Sequence, residues 1–148
     1  LFLDIDGVLN SRRTAHAFDG FPHPKQSNPV AKLDRVAIGL INTIAKHNVK
    51  IVLSSTWRIG TDIEELGKKI GIVFHDSIPI IHDGKRGEEI DLWIRSQKEE
   101  IEFVIIDDDL DFLEHQENRL VLVSAEEGFL FAHFKRAVKI LQLENIVL

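Results

Sequence analysis

The sequence contains no cysteine, and this absence excludes several kinds of chemistry. Disulfide bonds, thiolate catalysis and zinc sites with cysteine ligands are all excluded. The sequence also lacks an apolar run of the roughly 18 to 20 residues that span a bilayer. Its first residues do not resemble a secretory signal, because acidic residues occur at once. We therefore expect a cytoplasmic protein that does not contact a membrane.

Positive charge is also scarce. The 148 residues contain 18 Lys and Arg against 24 Asp and Glu, which gives a net charge of −6. Surfaces that bind nucleic acids tightly usually carry a net positive charge or a basic stripe. The acidic balance argues against such a surface, but it is compatible with an enzyme that acts briefly on a nucleic-acid end.

Apolar strands alternate with amphipathic helices along the whole chain, which has no repeat and no interdomain linker. This alternation predicts a single α/β domain over residues 1–148, with a central parallel sheet and helices on both faces. Strands are predicted at residues 1–5, 50–53, 72–74, 103–106 and 120–123, and helices at residues 33–47, 58–70, 88–97 and 129–141.

Residues 10–31 interrupt this pattern. Gly20 and several prolines are expected to break regular structure there. A loop of this length in a small domain is usually functional or mobile. We expect it to act as a flap, with Phe18 and Phe21 providing apolar contacts.

Three of the predicted strands end in polar residues that are capable of chemistry. These ends are Asp4–Gly7, Ser54–Thr56 and Asp107–Asp109. Because ligands of parallel sheets bind at the carboxyl ends of the strands, we expect the three groups to converge. Crowded carboxylates repel one another, and a divalent cation such as Mg²⁺ relieves that repulsion.

Asp4 and Asp6 fit two different roles in phosphate chemistry. Gly7 lets the chain turn, so the two carboxylates can point in different directions. One can attack phosphorus to form an aspartyl-phosphate, and the other can act as general acid and then base. An Asp-x-Asp-Gly string also opens calcium loops, but Arg13 stands where such a loop requires glutamate.

Three strings resemble motifs of the haloacid-dehalogenase-like (HAD) hydrolases over essentially the whole chain. LFLDIDGVLN resembles the first motif, IVLSSTWR the second and FVIIDDDLDF the fourth. The finer pattern is similar to small HAD domains of multifunctional RNA-repair proteins, through SSTWR, KRGEEIDLWI, IDDDLDF and GFLFAHFKRAVKIL. The resemblance implies a Rossmann-like HAD fold with a minimal cap or none, because both possible cap insertions are short.

The resemblance also implies residue roles. Asp4 is the nucleophile and a magnesium ligand, and Asp6 is the acid/base, whose backbone carbonyl also contacts the metal. Ser54 binds the transferred phosphoryl group, with the adjacent Ser55 as a substitute. Gly7 is expected to contact the substrate together with Ser55.

The fourth motif supplies further magnesium ligands, namely Asp107 and Asp108. Asp111 stands four residues after Asp107, another spacing found in this motif, so Asp108 and Asp111 remain alternatives. The third motif requires a cation, and Lys85 and Arg86 are both candidates. Arginine is favoured because its guanidinium binds phosphate in a fork, although Arg86 could simply pair with a glutamate of its own helix.

The remaining candidates have ordinary structural explanations as well. Arg58 could bind the substrate or lie on a helix surface, and Arg12 and Arg13 could meet substrate charges or be solvated. Trp57 and Trp93 are interpreted as core residues.

These residues predict a magnesium-dependent phosphomonoesterase with an open site. Such a site suits a phosphate on a large substrate, for example an RNA or DNA end. A phosphatase for nucleotides or other small metabolites is the alternative. A receiver-like phospho-acceptor domain is a non-enzymatic alternative, but receivers carry a lysine at the end of the last strand, where this chain has Val123 and Ser124. A relative that has lost catalysis would not require intact Asp4 and Asp6.

Overall fold

The computed structural model describes residues 1–143, 145 and 146. Within this part the strands are β1 (Phe2–Leu3), β2 (Ile51–Leu53), β3 (Phe74–Ser77), β4 (Ile105–Asp107) and β5 (Leu120–Leu122). The α-helices are α1 (Arg12–Ala17), α2 (Arg35–Ala45), α3 (Ile63–Ile70), α4 (Arg86–Arg95) and α5 (Phe131–Ile140). Short 3₁₀ helices occupy Pro29–Lys32, Thr56–Arg58 and Glu114–Arg119. None of the helices formed by these residues combines the length and the hydropathy that crossing a bilayer requires.

The strands form one parallel sheet in the order β3-β2-β1-β4-β5. In the centre of the sheet, Leu3 of β1 is paired with Leu53 on one side and with Ile106 on the other. The chain runs outward from β1 to β3 and then returns to place β4 on the opposite side of β1. Ligands of open parallel sheets bind at such a reversal, beyond the carboxyl ends of the strands. The topology confirms the predicted α/β class and brings the residues that follow β1 and β4 together.

Helices cover both faces of the sheet. On one face, α2, α3 and α5 share a core with alternate strand residues, including Leu3, Leu53, Ile106 and Val121. On the other face, α4 packs its Ile90 and Trp93 against Phe2, Val52, Ile105 and Leu120. Strands that are buried on both sides are continuous apolar runs in sequence. The predicted three-layer, Rossmann-like arrangement is therefore confirmed.

The prediction that residues 10–31 contain no regular element is wrong at the start of the segment, where α1 forms. The Ser11 side chain accepts a hydrogen bond from the Thr14 backbone N–H, and the Thr14 hydroxyl accepts one from the Ser11 N–H. This reciprocal capping box stabilises the first turn. Gly20 and the prolines come only after this helix, so they limit its length without preventing it.

The helix predicted over residues 58–70 is shorter in the structure. It begins at Ile63, because the Asp62 side chain accepts a backbone hydrogen bond in the first turn. Ile59 precedes this cap and is 52% exposed, so it does not pack into the core. Val36 in the first turn of α2 is exposed as well.

The strand predicted at residues 72–74 starts later, at Phe74. The backbone amides of Gly71 and Ile72 both donate to the Gly67 carbonyl, which closes the end of α3. Gly71 adopts φ +82°, the left-handed conformation that is common after a helix. These residues therefore cannot join the sheet, and β3 extends through Ser77 instead.

Candidate active site

Asp4 follows β1 directly and lies at the reversal of the strand order. Its side chain is buried, with the residue 8% exposed. Burial raises the pKa of Asp4 to about 8, and the negative charge of Asp107 adds to this rise. The Ile5 backbone N–H, the charge of Arg86 and the Ser55 side chain lower it. A protonated carboxyl is a poor nucleophile, so an ionised Asp4 requires additional positive charge near it.

Asp107 and Asp108 at the end of β4 provide the partners for Asp4. One carboxylate oxygen from each of the three residues lies within 4.8 Å of the other two. Burial raises the pKa of Asp107 to about 6, although the Asp109 backbone N–H and Arg86 act against this rise. The three carboxyl groups resist being ionised at the same time. Carboxylate oxygens are the ligands that Mg²⁺ prefers. The residues present therefore fit a divalent cation.

Asp111 lies outside this group of three carboxylates. Its Oδ2 accepts a hydrogen bond from the Arg86 backbone N–H at 3.1 Å, and its carbonyl accepts one from the Gly87 N–H. Asp111 therefore caps the amino end of α4. Of the two alternatives for the partner of Asp107, the geometry favours Asp108.

Gly7 allows Asp108 to approach the first strand end. Its φ of +77° is a conformation that side-chain-bearing residues rarely adopt. A Cβ atom at this position would lie 2.2 Å from Asp108 Oδ2. Gly7 lines the cleft, but its N–H donates to Asn10 Oδ1. Its evident role is to leave space for the carboxylate, and its predicted contact with the substrate stays a prediction.

Asp6 is exposed, and its side chain lies apart from the three clustered carboxylates. Asn10 Nδ2 donates to Asp6 Oδ1 at 2.8 Å, and Trp57 Nε1 donates to Asp6 Oδ2 at 2.9 Å. The two donors hold both carboxylate oxygens. Sequence reasoning missed both contacts: Asn10 was not singled out, and Trp57 was interpreted only as a core residue, although its place in the second motif was a signal.

Ser54 and Ser55 follow β2 and are both fully buried. Within the described part of the chain, the Ser54 hydroxyl has no hydrogen-bond partner. Ser55 Oγ accepts from the Trp57 backbone N–H at 3.3 Å, and the Ser55 side chain also lowers the pKa of Asp4. Ser54 thus has a buried hydroxyl without a partner next to β1, whereas the Ser55 hydroxyl is engaged beside Asp4.

Arg86 and Lys85 differ clearly in their surroundings. The Arg86 side chain is 18% exposed, and its Nη1 is buried without a hydrogen-bond partner among the residues described. Its charge lowers the pKa of both Asp4 and Asp107, and it lines the cleft. Lys85 is exposed at the amino end of α4, outside the described lining of the cleft. The geometry therefore favours Arg86 as the cation of the third motif.

Arg58 is buried, so it does not lie on a helix surface, and its predicted contact with the substrate stays a prediction. Its side chain is 4% exposed, and all five of its N–H groups donate within the protein. The acceptors are the carbonyls of Ser54, Ser55, Ile78 and Pro79 and the carboxylate of Glu89. Because no donor remains, Arg58 fixes the loop that carries the two serines.

Asp4, Asp6 and Asp108 line a cleft with a volume of about 580 Å³. Arg12, Phe21 and Pro22 from the segment after β1 line one side of it, and Thr56 and Arg86 also contribute. The backbone amides of Arg12 and Arg13 donate to carbonyls of the loop after β5, which anchors the start of α1 there. A larger concavity of about 810 Å³ lies at the opposite ends of the strands, away from the clustered carboxylates.

Comparison with known families returns one match. A family model described as "HAD domain in Swiss Army Knife RNA repair proteins" matches residues 1–134. Neither the curated proteins nor the solved structures include a significant match to the chain. The matched region contains all the strands and every candidate residue described above.

Proposed function

Since the chain belongs to the family of HAD domains in Swiss Army Knife RNA repair proteins, we propose that it is a magnesium-dependent phosphomonoesterase acting on nucleic-acid ends. Family membership implies a phosphohydrolase. The magnesium ion, the aspartyl-phosphate intermediate and the substrate are the parts that we add.

One observation carries the proposal: carboxylates from the ends of two neighbouring strands meet beside an arginine. Asp4, Asp107 and Asp108 lie within 4.8 Å of one another, and the charge of Arg86 acts on two of them. A bound Mg²⁺ would supply the positive charge that keeps Asp4 ionised and that offsets the charge of the phosphoryl oxygens. Asp4, Asp107 and Asp108 would hold it.

The first chemical step transfers the phosphoryl group to Asp4. A carboxylate oxygen of Asp4 attacks phosphorus, and the bond from phosphorus to the ester oxygen breaks. The protonated Asp6 carboxyl gives its proton to that leaving oxygen. Arg86 Nη1, which lacks a partner within the described structure, belongs to a residue that lines the cleft and is available to the phosphoryl oxygens. We propose that the buried Ser54 hydroxyl, or that of Ser55, is the second donor.

The second step releases inorganic phosphate. Water attacks phosphorus and loses a proton to the Asp6 carboxylate, and the bond from phosphorus to the Asp4 oxygen breaks. Asp4 returns as a carboxylate and Asp6 returns protonated, so the cycle closes without net change in the protein.

The shape of the cleft supports a phosphate that projects from a large molecule. The cleft is bordered by the segment of residues 10–31 and not by a separately folded cap within residues 1–143. Arg12 and Phe21 line the cleft. Phe21 provides an aromatic surface for a nucleotide chain, whereas the Arg12 guanidinium is shared with Glu126. We propose that this segment acts as the flap of a single domain. The cytoplasmic location stays a prediction.

The first experiment tests the nucleophile and the metal. The purified protein should hydrolyse p-nitrophenyl phosphate with Mg²⁺ and lose this activity in EDTA. Asp4→Asn should abolish it, whereas Asp109→Asn, an exposed aspartate of the same acidic run, should retain most of it. After reaction with a substrate whose phosphate is labelled, the acid-quenched wild-type protein should retain the label as bound phosphate. Hydroxylamine should release it. Equal rates for wild type and Asp4→Asn would overturn the assignment of the nucleophile.

The second experiment tests the substrate class. Oligonucleotides with a 3′- or 5′-phosphate are compared with the corresponding mononucleotides under the same conditions. We expect kcat/KM to be at least tenfold higher for one of the oligonucleotides. A preference for the mononucleotides would favour the small-nucleotide phosphatase instead.

A further inference from the structure

Both tryptophans of the chain donate their indole N–H to an aspartate. Trp57 Nε1 lies 2.9 Å from Asp6 Oδ2, and Trp93 Nε1 lies 2.8 Å from Asp76 Oδ2. Both indole rings are largely buried, at 3% and 9% exposure. The two pairs differ in location, because Asp6 lines the cleft and Asp76 lies on the edge strand β3. A buried indole N–H usually has a hydrogen-bond partner. The partner of Trp57 is the predicted acid/base Asp6, whereas the partner of Trp93 has no predicted role in catalysis.

We propose that Trp57 is a positioning residue that holds the Asp6 carboxyl group in the orientation needed for proton transfer. This inference rests on the proposed function, in which Asp6 protonates the leaving oxygen. Trp57 does not touch the reacting atoms, and it acts only through Asp6.

The contacts around Asp6 support this role. The Asp6 side chain is exposed, so without fixed partners its carboxyl group would rotate freely and bind water. Asn10 holds one oxygen, and Asn10 is itself fixed because its Oδ1 accepts from the Gly7 N–H. Trp57 holds the other oxygen through its indole N–H. Two donors on two oxygens define the plane of the carboxyl group, and its remaining lone pairs stay available for the proton.

The position of Trp57 in the chain connects the surroundings of Asp4 with those of Asp6. It lies in the 3₁₀ helix that begins directly after Ser55, whose side chain accepts from the Trp57 backbone N–H. Ser55 also interacts with Asp4. The turn after β2 therefore reaches the nucleophile through Ser55 and the acid/base through Trp57.

The experiment compares Trp57→Phe with Trp93→Phe, since both remove one indole N–H from one aspartate. Each variant is assayed with p-nitrophenyl phosphate, whose leaving group needs little protonation, and with an alkyl phosphate, whose leaving group depends on the acid. We measure kcat/KM, because it covers the steps up to phosphoryl transfer to Asp4. For Trp57→Phe we expect kcat/KM on the alkyl phosphate to fall about tenfold or more and to change little on p-nitrophenyl phosphate.

The outcomes separate positioning from packing. Trp93→Phe should not change the ratio of the two kcat/KM values, and Trp57→Phe should have little further effect in an Asp6→Asn background. Equal losses on both substrates for Trp57→Phe, or no loss on either, would overturn the proposal. If Trp57→Phe does not fold, replacement of Trp57 by benzothienylalanine keeps the ring size and removes only the N–H.

A spectroscopic measurement keeps this inference separate from the proposed function. The chain has two tryptophans, so ¹⁵N-labelled protein should give two indole N–H signals. Asp6→Ala should shift one of them and speed its hydrogen exchange, whereas Asp76→Ala should affect the other. If the protein lacks phosphatase activity but passes this test, the proposed function fails and the contact stands. If Asp6→Ala leaves both signals unchanged, the positioning role fails even in an active enzyme.

Discussion

Arg86 and Lys85 are adjacent in sequence, but only one of them is placed to neutralise charge at the cleft. Arg86 Nη1 is buried and has no hydrogen-bond partner in the described structure, although its backbone N–H is held by Asp111. A buried guanidinium N–H without an acceptor is unfavourable unless a ligand completes it. This makes Arg86 a candidate for direct contact with a phosphoryl oxygen.

We predict that Arg86→Ala lowers kcat/KM for p-nitrophenyl phosphate about 100-fold or more, as expected for the loss of one donor to a developing anion. Lys85→Ala is the matched control, because it removes a neighbouring positive charge that is exposed, and it should change kcat/KM less than about threefold. Circular dichroism checks that both variants are folded. A large loss in Lys85→Ala with an active Arg86→Ala would transfer the role to Lys85.

At the scale of single elements, α4 contains both Arg86 and Glu89, whose side chains lie close together. Glu89 is buried on this helix, and its Oε2 lies 2.8 Å from Arg58 Nη2 and 3.8 Å from Arg86 Nε. Its Oε1 accepts from the Ile81 backbone N–H. One carboxylate therefore connects α4 to the loop after β2. Removal of one partner of such a buried ion pair is destabilising, because it leaves the other charge buried without compensation.

The segment between α1 and α2 presents two exposed phenylalanines with different surroundings. Phe21 is 55% exposed and lines the cleft, whereas Phe18 is 43% exposed and lies outside the lining formed by the described residues. Stacking of a base on an aromatic side chain is worth about 1 to 3 kcal/mol. An exposed ring at the mouth of a phosphate site is therefore suited to the nucleotide that carries the phosphate.

We predict that Phe21→Ala lowers kcat/KM for a phosphorylated oligonucleotide roughly 5- to 150-fold, the equivalent of one lost stacking contact. The same variant should leave p-nitrophenyl phosphate hydrolysis within about twofold, because that substrate does not extend to the ring. Phe18→Ala should behave like wild type on both substrates. Loss of activity on both substrates in Phe21→Ala would instead indicate a general role of the segment in forming the site.

The elements differ in how far the sequence alone could predict them. Asp4 and Asp107 could be paired in advance, because each ends an apolar run and parallel strands end at one edge of a sheet. The contact between Trp57 and Asp6 could not, because the strand order does not fix the direction of an indole ring and an indole in a motif is usually core. The burial of Arg58 could not be predicted either, because its five acceptors come from three separate stretches of chain.

At the scale of the whole molecule, the fold concentrates negative charge where the sheet reverses its order. A net charge of −6 is spread over the chain, yet three carboxylates share a space of a few ångströms. The pKa values of Asp4 and Asp107 are raised from their ordinary value of 3.8 to about 8 and about 6, chiefly by burial. The site therefore opposes folding once these groups ionise, unless a cation binds.

The sign of the resulting pH dependence follows from proton binding. Between about pH 4 and pH 8 the folded protein binds more protons at Asp4 and Asp107 than the unfolded chain does. The free energy of unfolding must then fall as the pH rises through this window. The stabilising contribution is complete at low pH and is lost as the pH passes the raised pKa values. A divalent cation reverses the trend, because it binds the ionised carboxylates and so binds more tightly at high pH.

We predict that the Tm of the metal-free protein falls by roughly 4 to 8 °C between pH 5 and pH 8, the equivalent of about 2 kcal/mol for a chain of this size. Added Mg²⁺ should raise the Tm clearly at pH 8 and little at pH 5. Asp4→Asn should reduce both the pH-dependent loss and the metal response, whereas Asp83→Asn, an exposed loop aspartate with φ +57°, should change neither. Differential scanning fluorimetry measures the Tm of wild type and of each variant at pH 5 and pH 8, in EDTA and in Mg²⁺. A Tm in EDTA that rises from pH 5 to pH 8 in wild type, or a Mg²⁺ response that survives in Asp4→Asn, would show that the charge of this site does not govern stability as argued.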